Sequence, residues 1–208
     1  MSKLSKAKYM FLFGIFNLGT YFLIQQYVSH EYSFHLEIDD AIPFVPWTVW
    51  IYHTLLPGII ATMLLLVKSK KVFFTTFWAS ILATIIIHLC YIIFPSFYPR
   101  PDAGGEGLTR AFVELSFAID NSSNTFPSGH VTFAWLMFWG AFWSDAVKKV
   151  LGLRRLYLLW AIGISLSTVT MKMHYVIDVI GGFTLAAFCF FLAKEVVGRL
   201  SYYKDEPK

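Results

Sequence analysis

The sequence predicts an all-α, polytopic membrane protein: six transmembrane helices in a bundle, with a short surface helix in the outer loop between the third and fourth. Three observations predict it. Hydrophobic residues make up 57% of the 208 residues and charged residues only 14%, whereas soluble domains are about half apolar and about one-quarter charged. Six stretches, 9–28, 47–67, 72–94, 129–147, 156–173 and 176–197, are apolar and approach the roughly 20 residues that a bilayer core requires. The basic residues cluster in alternate gaps between these stretches. No Pro/Gly/Ser-rich linker divides the chain and no fixed-period repeat is present, so residues 1–208 are expected to form one domain.

The elements follow in order. Lys3, Lys6 and Lys8 precede the first apolar run, Tyr9 to Val28, which is too long for a signal peptide and has no small-residue cleavage site. The segment from Ser29 to Pro46 ends in "DDAIPFVPW"; Pro43 and Pro46 prevent a regular helix there. Trp47 and Trp50 suit the aromatic belt of a membrane interface. The third span ends near Phe94 and opens "PSFYPRPDAGGEG", too rich in Pro and Gly for helix. Leu108, Ala111, Phe112, Leu115 and Ile119 then recur at helical spacing and predict the surface helix, apolar side down. Ser128 is placed as the N-cap of the fourth span. The fifth and sixth spans are nearly continuous in hydropathy, and the break is expected within "TVTMKMHYVID".

Charge placement orients the bundle. Fourteen of the seventeen Lys and Arg residues fall before span one, after spans two and four, or at the C-terminal end. The positive-inside rule makes that side cytoplasmic, with both termini inside a cell membrane. Arg100, Arg110 and Lys172 are the three basic residues left on the extracytoplasmic side. This charge pattern serves a lipid bilayer, not a nucleic acid. Cys90 and Cys189 lie inside spans and read as packing residues.

Ionisable residues at the ends of membrane helices are costly and usually functional. His174 and Asp178 are four apart at the start of the sixth span and share a face. A carboxylate one turn from an imidazole can accept its N–H and leave the other nitrogen free. Ser128, Gly129 and His130 open the fourth span, where helix N–H groups favour an anion. A helix N-terminus, a hydroxyl, two imidazoles and a few cations describe a phosphate site. Gly181 and Gly182 would let a neighbouring helix come close. His53 and His88 read as packed histidines with hydrogen-bond partners. Asp39 and Asp40 read as loop or interface acids, with an acceptor-binding role open. Asp120 and Asn124 are expected to shape the approach to "FPSGH" by side-chain-to-backbone bonds.

"PSGH" at 127–130, His-x-x-x-Asp at 174–178 and Arg100-Pro101 upstream resemble the type 2 phosphatidic acid phosphatase superfamily of integral membrane lipid phosphatases. The resemblance covers about 95–182, and the six-helix layout is also that family's. It implies that His174 is the nucleophile, forming a phosphohistidine. It implies that Asp178 orients and charge-stabilises His174, and that His130 is the general acid. Arg100, Ser128 and Gly129 would hold phosphate oxygens, with no metal and no cofactor. A zinc site built from His130, His174 and Asp178 would want a fourth ligand that the sequence does not supply.

Two family cations are replaced. Ile93 stands where a Lys is expected before Arg100, and Thr168 stands where an Arg follows a Ser, here Ser167. Lys172 is the first candidate to make good the charge, provided the turn falls between it and His174, and Arg110 is the second. "DDAIPFVPW" and "HYVID" are also similar to the branch containing inositol-phosphorylceramide and related sphingolipid phosphotransferases, in which an alcohol replaces water. The resemblance therefore implies a lipid-phosphate phosphatase, with the phosphotransferase as the alternative. A six-helix transporter would place charged or broken residues near mid-span; here the polar set lies at the outer mouth.

Overall fold

The computed structural model describes residues 3–28 and 31–200; Lys204 and Lys208, counted above with the cytoplasmic charges, lie outside them. The described elements run α1 (Lys3–Tyr27), α2 (Glu37–Ala41), a 3-10 turn (Pro46–Thr48) leading into α3 (Val49–Tyr52), α4 (Leu55–Leu66), α5 (Lys70–Ile93), α6 (Gly107–Ile119), α7 (Gly129–Trp143), α8 (Asp145–Lys148), α9 (Leu153–Thr170) and α10 (Val176–Arg199). Among the described residues there is no strand, only the isolated bridges of Tyr32 with Ser96 and Phe97 with Ser123.

Among the described residues, four helical stretches are long and apolar enough to cross a membrane: Leu4–Tyr27, Pro46–Leu66, Lys70–Ile93 and Val176–Arg199. Two of the six expected spans differ. Ser144 turns the chain out of α7 in an extended conformation after 15 residues, a length of about 22 Å at 1.5 Å per residue. α9 carries Arg154 and Arg155 in its first turn and four Ser or Thr residues in its second half, which dilutes its hydropathy.

α7 sits at the centre, packed against α4, α5, α9 and α10, while α5 and α10 pair along their length. The core beneath the site is built from Leu66, Phe73, Phe77, Leu136, Met137 and Phe190. α1 packs on α5 and leaves Phe11, Leu12, Ile15 and Phe16 exposed, as befits a helix solvated by hydrocarbon. Cys90 and Cys189 are separate thiols. His53 Nε2 meets Ser116 Oγ at 2.9 Å and His88 Nδ1 meets Thr20 Oγ1 at 3.2 Å, so both histidines have the partners expected of packed residues.

α6 packs on the protein through one face and turns most of its expected apolar stripe outward. Val113 and Ser116 are its buried residues, with Phe112 and Phe117 packed beside them on the α3 cluster. Leu108, Leu115 and Ile119 of the expected stripe point away from the protein and are exposed. The helix therefore has two apolar faces. The inner one belongs to the fold: Trp50 packs on Phe112 at a tilt of 43° and donates to Thr109.

Candidate active site

α9 ends in a Schellman motif. Lys172 takes the left-handed position (φ 55°), its N–H donates to Val169 O at 3.1 Å, and Met173 N–H donates to Thr168 O at 2.9 Å. A glycine usually occupies this position, because a Cβ is strained there. The chain reverses over residues 171–175 and α10 starts at Val176, so the break falls inside the expected stretch. Asp178 closes a capping box at this start, its Oδ2 accepting Tyr175 N–H at 2.9 Å.

The reversal fixes His174, which is 5% exposed. Its backbone N–H donates to Thr168 O at 3.2 Å. Its Nδ1 lies 2.9 Å from Thr125 O and 3.4 Å from Asp178 Oδ2. A carbonyl can only accept, so Nδ1 carries the proton and Nε2 keeps its lone pair. Sequence reasoning expected Asp178 to accept this N–H. Instead a main-chain carbonyl from the "NTFPSGH" loop is the nearer acceptor, with the carboxylate behind it. Ser96 Oγ holds that loop by accepting Phe126 N–H and the Thr125 hydroxyl, both at 2.9 Å.

Ser128 caps α7 as expected, its Oγ accepting Val131 N–H at 3.4 Å. Its own N–H donates to the Asp178 carbonyl at 3.0 Å. The "PSGH" turn and the "HYVID" helix are therefore joined by main chain. Gly182 and Gly181 make this approach possible. A Cβ on Gly182 would stand 2.6 Å from Ser128 O, and one on Gly181 would stand 2.8 Å from the Phe126 ring. Tyr91 of α5 supports the turn from below, donating to Pro127 O at 3.2 Å. Gly129 and His130 begin α7, so their N–H groups have no intrahelical acceptor.

His130 faces His174 with ring centroids 6.1 Å apart. Its other side stacks on Tyr52 at 4.2 Å, and Tyr52 Oη lies 3.4 Å from its Nδ1. Tyr52 donates to Asp120 Oδ2 at 3.0 Å, and Tyr21 donates a short bond to Asp120 Oδ1. Asp120 thus works through its carboxylate on side chains, not on the backbone as expected. Asn121 supplies a side-chain-to-backbone bond instead, accepting Ser123 N–H at 2.9 Å. Sequence reasoning missed Tyr52, Tyr91, Ser96 and Thr125.

The cations take places of their own. Arg100 reaches three main-chain oxygens: Lys172 O at 2.8 Å, Asn121 O at 2.6 Å and Asp120 O at 3.2 Å. It ties the turn before His174 to the loop that precedes "PSGH". Arg100 Nε, Asn124 Nδ2 and Asp178 Oδ1 are buried without a hydrogen-bond partner. The turn does fall between Lys172 and His174, yet Lys172 Nζ donates to Asp39 O at 2.9 Å. Asp39 is buried, and its carboxylate accepts Val176 N–H at 2.8 Å at the start of α10. Arg110 is solvent-exposed and paired with Glu114 on its own helix, not turned towards the histidines. Tyr98 packs on Tyr175 at 4.3 Å, and burial pushes its phenol up to about 12, so it stays a neutral donor. Among the described residues, no group of three or more His, Cys, Asp or Glu is arranged to hold a metal ion.

The model of the PAP2 superfamily matches residues 96–202, which is just over half of the chain and contains all three motifs. The chain belongs to the PAP2 superfamily. Comparison with curated proteins and with solved structures gives no match. PAP2 membership, with four helices able to cross a membrane, suggests a phosphatase- or phosphotransferase-type activity in a membrane protein.

Proposed function

We propose that the protein is a multi-pass membrane phosphatase that hydrolyses a lipid phosphate monoester or diphosphate at the extracytoplasmic face. The observation that carries this reading is the facing histidine pair. His174 has its Nδ1 proton fixed on Thr125 O and its Nε2 free, and His130 stands 6.1 Å away at the N-terminus of α7. In the first half-reaction, His174 Nε2 attacks phosphorus and the bond to the lipid alcohol breaks as His130 gives that oxygen a proton. In the second, His130 takes a proton from water, the water oxygen attacks phosphorus and the N–P bond breaks. Asp178 balances the positive charge that grows on His174. Ser128, Gly129 and the first N–H groups of α7 face the phosphoryl oxygens.

The chemistry asks for no metal. Arg100 supplies positive charge while bracing the turn; three of its five N–H donors go to main-chain oxygens, which leaves Nε–H and one Nη1–H for a phosphate oxygen. Lys172 contributes by fixing the strained turn, and Arg110 is engaged with Glu114 at the surface, so the two absent family cations are not replaced one for one. The exposed Leu108, Leu115 and Ile119 suit a helix resting on the outer membrane surface, with α7 and α9 completing a six-helix bundle within one domain and both termini cytoplasmic. A second reading is favoured by one contact: the "DDAIPFVPW" segment is tied to the catalytic turn through Asp39 and Lys172. The segment resembling the phosphotransferase branch thus contacts the turn that carries His174, and in this reading an alcohol would replace water there.

One assay separates these readings. Purified protein in EDTA is given phosphatidic acid, phosphatidylglycerol phosphate or undecaprenyl diphosphate, with and without an alcohol acceptor. Release of inorganic phosphate is expected. Transfer of the phospho group to the alcohol with little free phosphate would make the protein a transferase. No turnover without added metal ion would overturn the mechanism. A reporter inserted between residues 100 and 120 is expected to read extracytoplasmic, and a cytoplasmic signal would sink the placement of the site.

A further inference from the structure

We infer that Tyr52 and Asp120 are positioning residues for His130, forming a side-chain relay that fixes which of its nitrogens exchanges protons. The inference rests on the proposed role of His130 as proton donor. The tyrosine hydroxyl has one proton, and the structure assigns it to Asp120 Oδ2 at 3.0 Å. Tyr52 Oη can then only accept from the imidazole nitrogen 3.4 Å away. His130 Nδ1 must therefore carry a proton, which leaves Nε2 as the nitrogen that gives a proton to the leaving oxygen and later takes one from water. No proton travels along the relay. The carboxylate polarises the hydroxyl, the hydroxyl holds Nδ1–H, and the stacked phenol ring, 25° from parallel, holds the imidazole plane.

This is the logic of an acid–imidazole pair with a phenol inserted between the two groups. Asp120 lies at the C-terminal end of α6 and Tyr52 at the end of α3, so the relay joins parts of the chain 68 residues apart. Tyr21 binds the other oxygen of the same carboxylate and keeps it from turning away. The other ionisable groups facing His130 are His174, His53 and Arg100. His53 is occupied by Ser116 and Arg100 by main-chain carbonyls, so neither supplies the second partner of the ring.

A leaving-group comparison tests the relay. Tyr52→Phe keeps the ring and removes the oxygen; Asp120→Asn keeps the shape and removes the charge. Each variant is assayed on phosphatidic acid, whose alcohol leaves only with a proton, and on p-nitrophenyl phosphate, whose phenolate leaves without one. Tyr52→Phe is expected to lose about 100-fold in kcat/KM, which reports the first half-reaction alone, on phosphatidic acid and to stay within about threefold in kcat/KM on the nitrophenyl ester, with Asp120→Asn intermediate. Equal losses on both substrates would mean a purely structural role and overturn the relay, as would no loss on either. His130→Ala separates this from the wider reading: if it also loses equally on both substrates, His130 is not the proton donor. Nitrogen NMR of labelled histidine gives a readout independent of turnover. Neutral His130 is expected as the Nδ1–H tautomer in the parent protein and as a mixture in Tyr52→Phe. An Nε2–H tautomer in the parent would overturn the assignment.

Discussion

His174 and His130 face each other across the site but are held by different materials. His174 is gripped by main chain: its N–H binds Thr168 O and its ring binds Thr125 O, while the capping carboxylate of Asp178 stands behind. His130 is gripped by side chains, Tyr52 against its face and Asp120 beyond. The difference follows from the chemistry each residue is proposed to do. A nucleophile must present one lone pair at a fixed point, and backbone carbonyls set by the end of α9 and by the loop before α7 give that precision. A proton donor must cycle between charged and neutral forms, and a polarisable hydroxyl–carboxylate pair tolerates both.

The largest expected effect removes one partner of the comparison outright. His174→Ala should lower phosphate release by at least about 10⁴-fold, as loss of a nucleophile does in other two-step enzymes. Full turnover in that variant would end the phosphohistidine reading.

Asp178→Asn sharpens the comparison. Where a carboxylate alone fixes the imidazole tautomer, the corresponding change costs about 10⁴-fold. Here Thr125 O still holds Nδ1–H, so kcat should fall by only about 10²-fold, chiefly from lost charge balance. A fall as large as that of His174→Ala would show that the carbonyl does not fix the ring.

Gly182→Ala attacks the main-chain frame without touching either imidazole. Its Cβ would stand 2.6 Å from the Ser128 carbonyl, and overpacking of this kind costs about 1–3 kcal/mol. A lowered melting transition with a matching loss of activity is expected. An unchanged protein would mean that the two turns are not locked together. Arg110→Ala should do least. The exposed pair with Glu114 is worth at most about 1 kcal/mol, and turnover should be unchanged. A marked rise in KM would return Arg110 to the substrate.

Much of this was legible because it depends on local pattern. The helices, the reversal before His174, the Ser128 cap and the glycines beneath the turn all follow from composition at fixed offsets in the sequence. The facing histidines followed from motif order and charge bias. What escaped depends on contacts without a local signature. The Thr125 and Thr168 carbonyls belong to the main chain, and no side chain advertises them. Tyr52 and Asp120 meet only after α3 and α6 pack together, through apolar residues that give no hint of a polar pair between them. Lys172 was correctly placed on the turn, but its reach to Asp39 depends on where a loop 133 residues earlier comes to lie. The inner face of α6, Val113 with Phe117, escaped for a related reason: its partners on α3 are distant in the sequence.

The bond from Ser128 N–H to the Asp178 carbonyl has a consequence for how such a chain can change over time. One motif's backbone is the other's hydrogen-bond partner, and Gly182 leaves room for nothing larger between them. An insertion or deletion between His174 and Gly182 would displace residues 126–132 in the same stroke. The two motifs are therefore expected to tolerate change only together, and a library that randomises one of them while freezing the other is expected to sample mostly broken proteins.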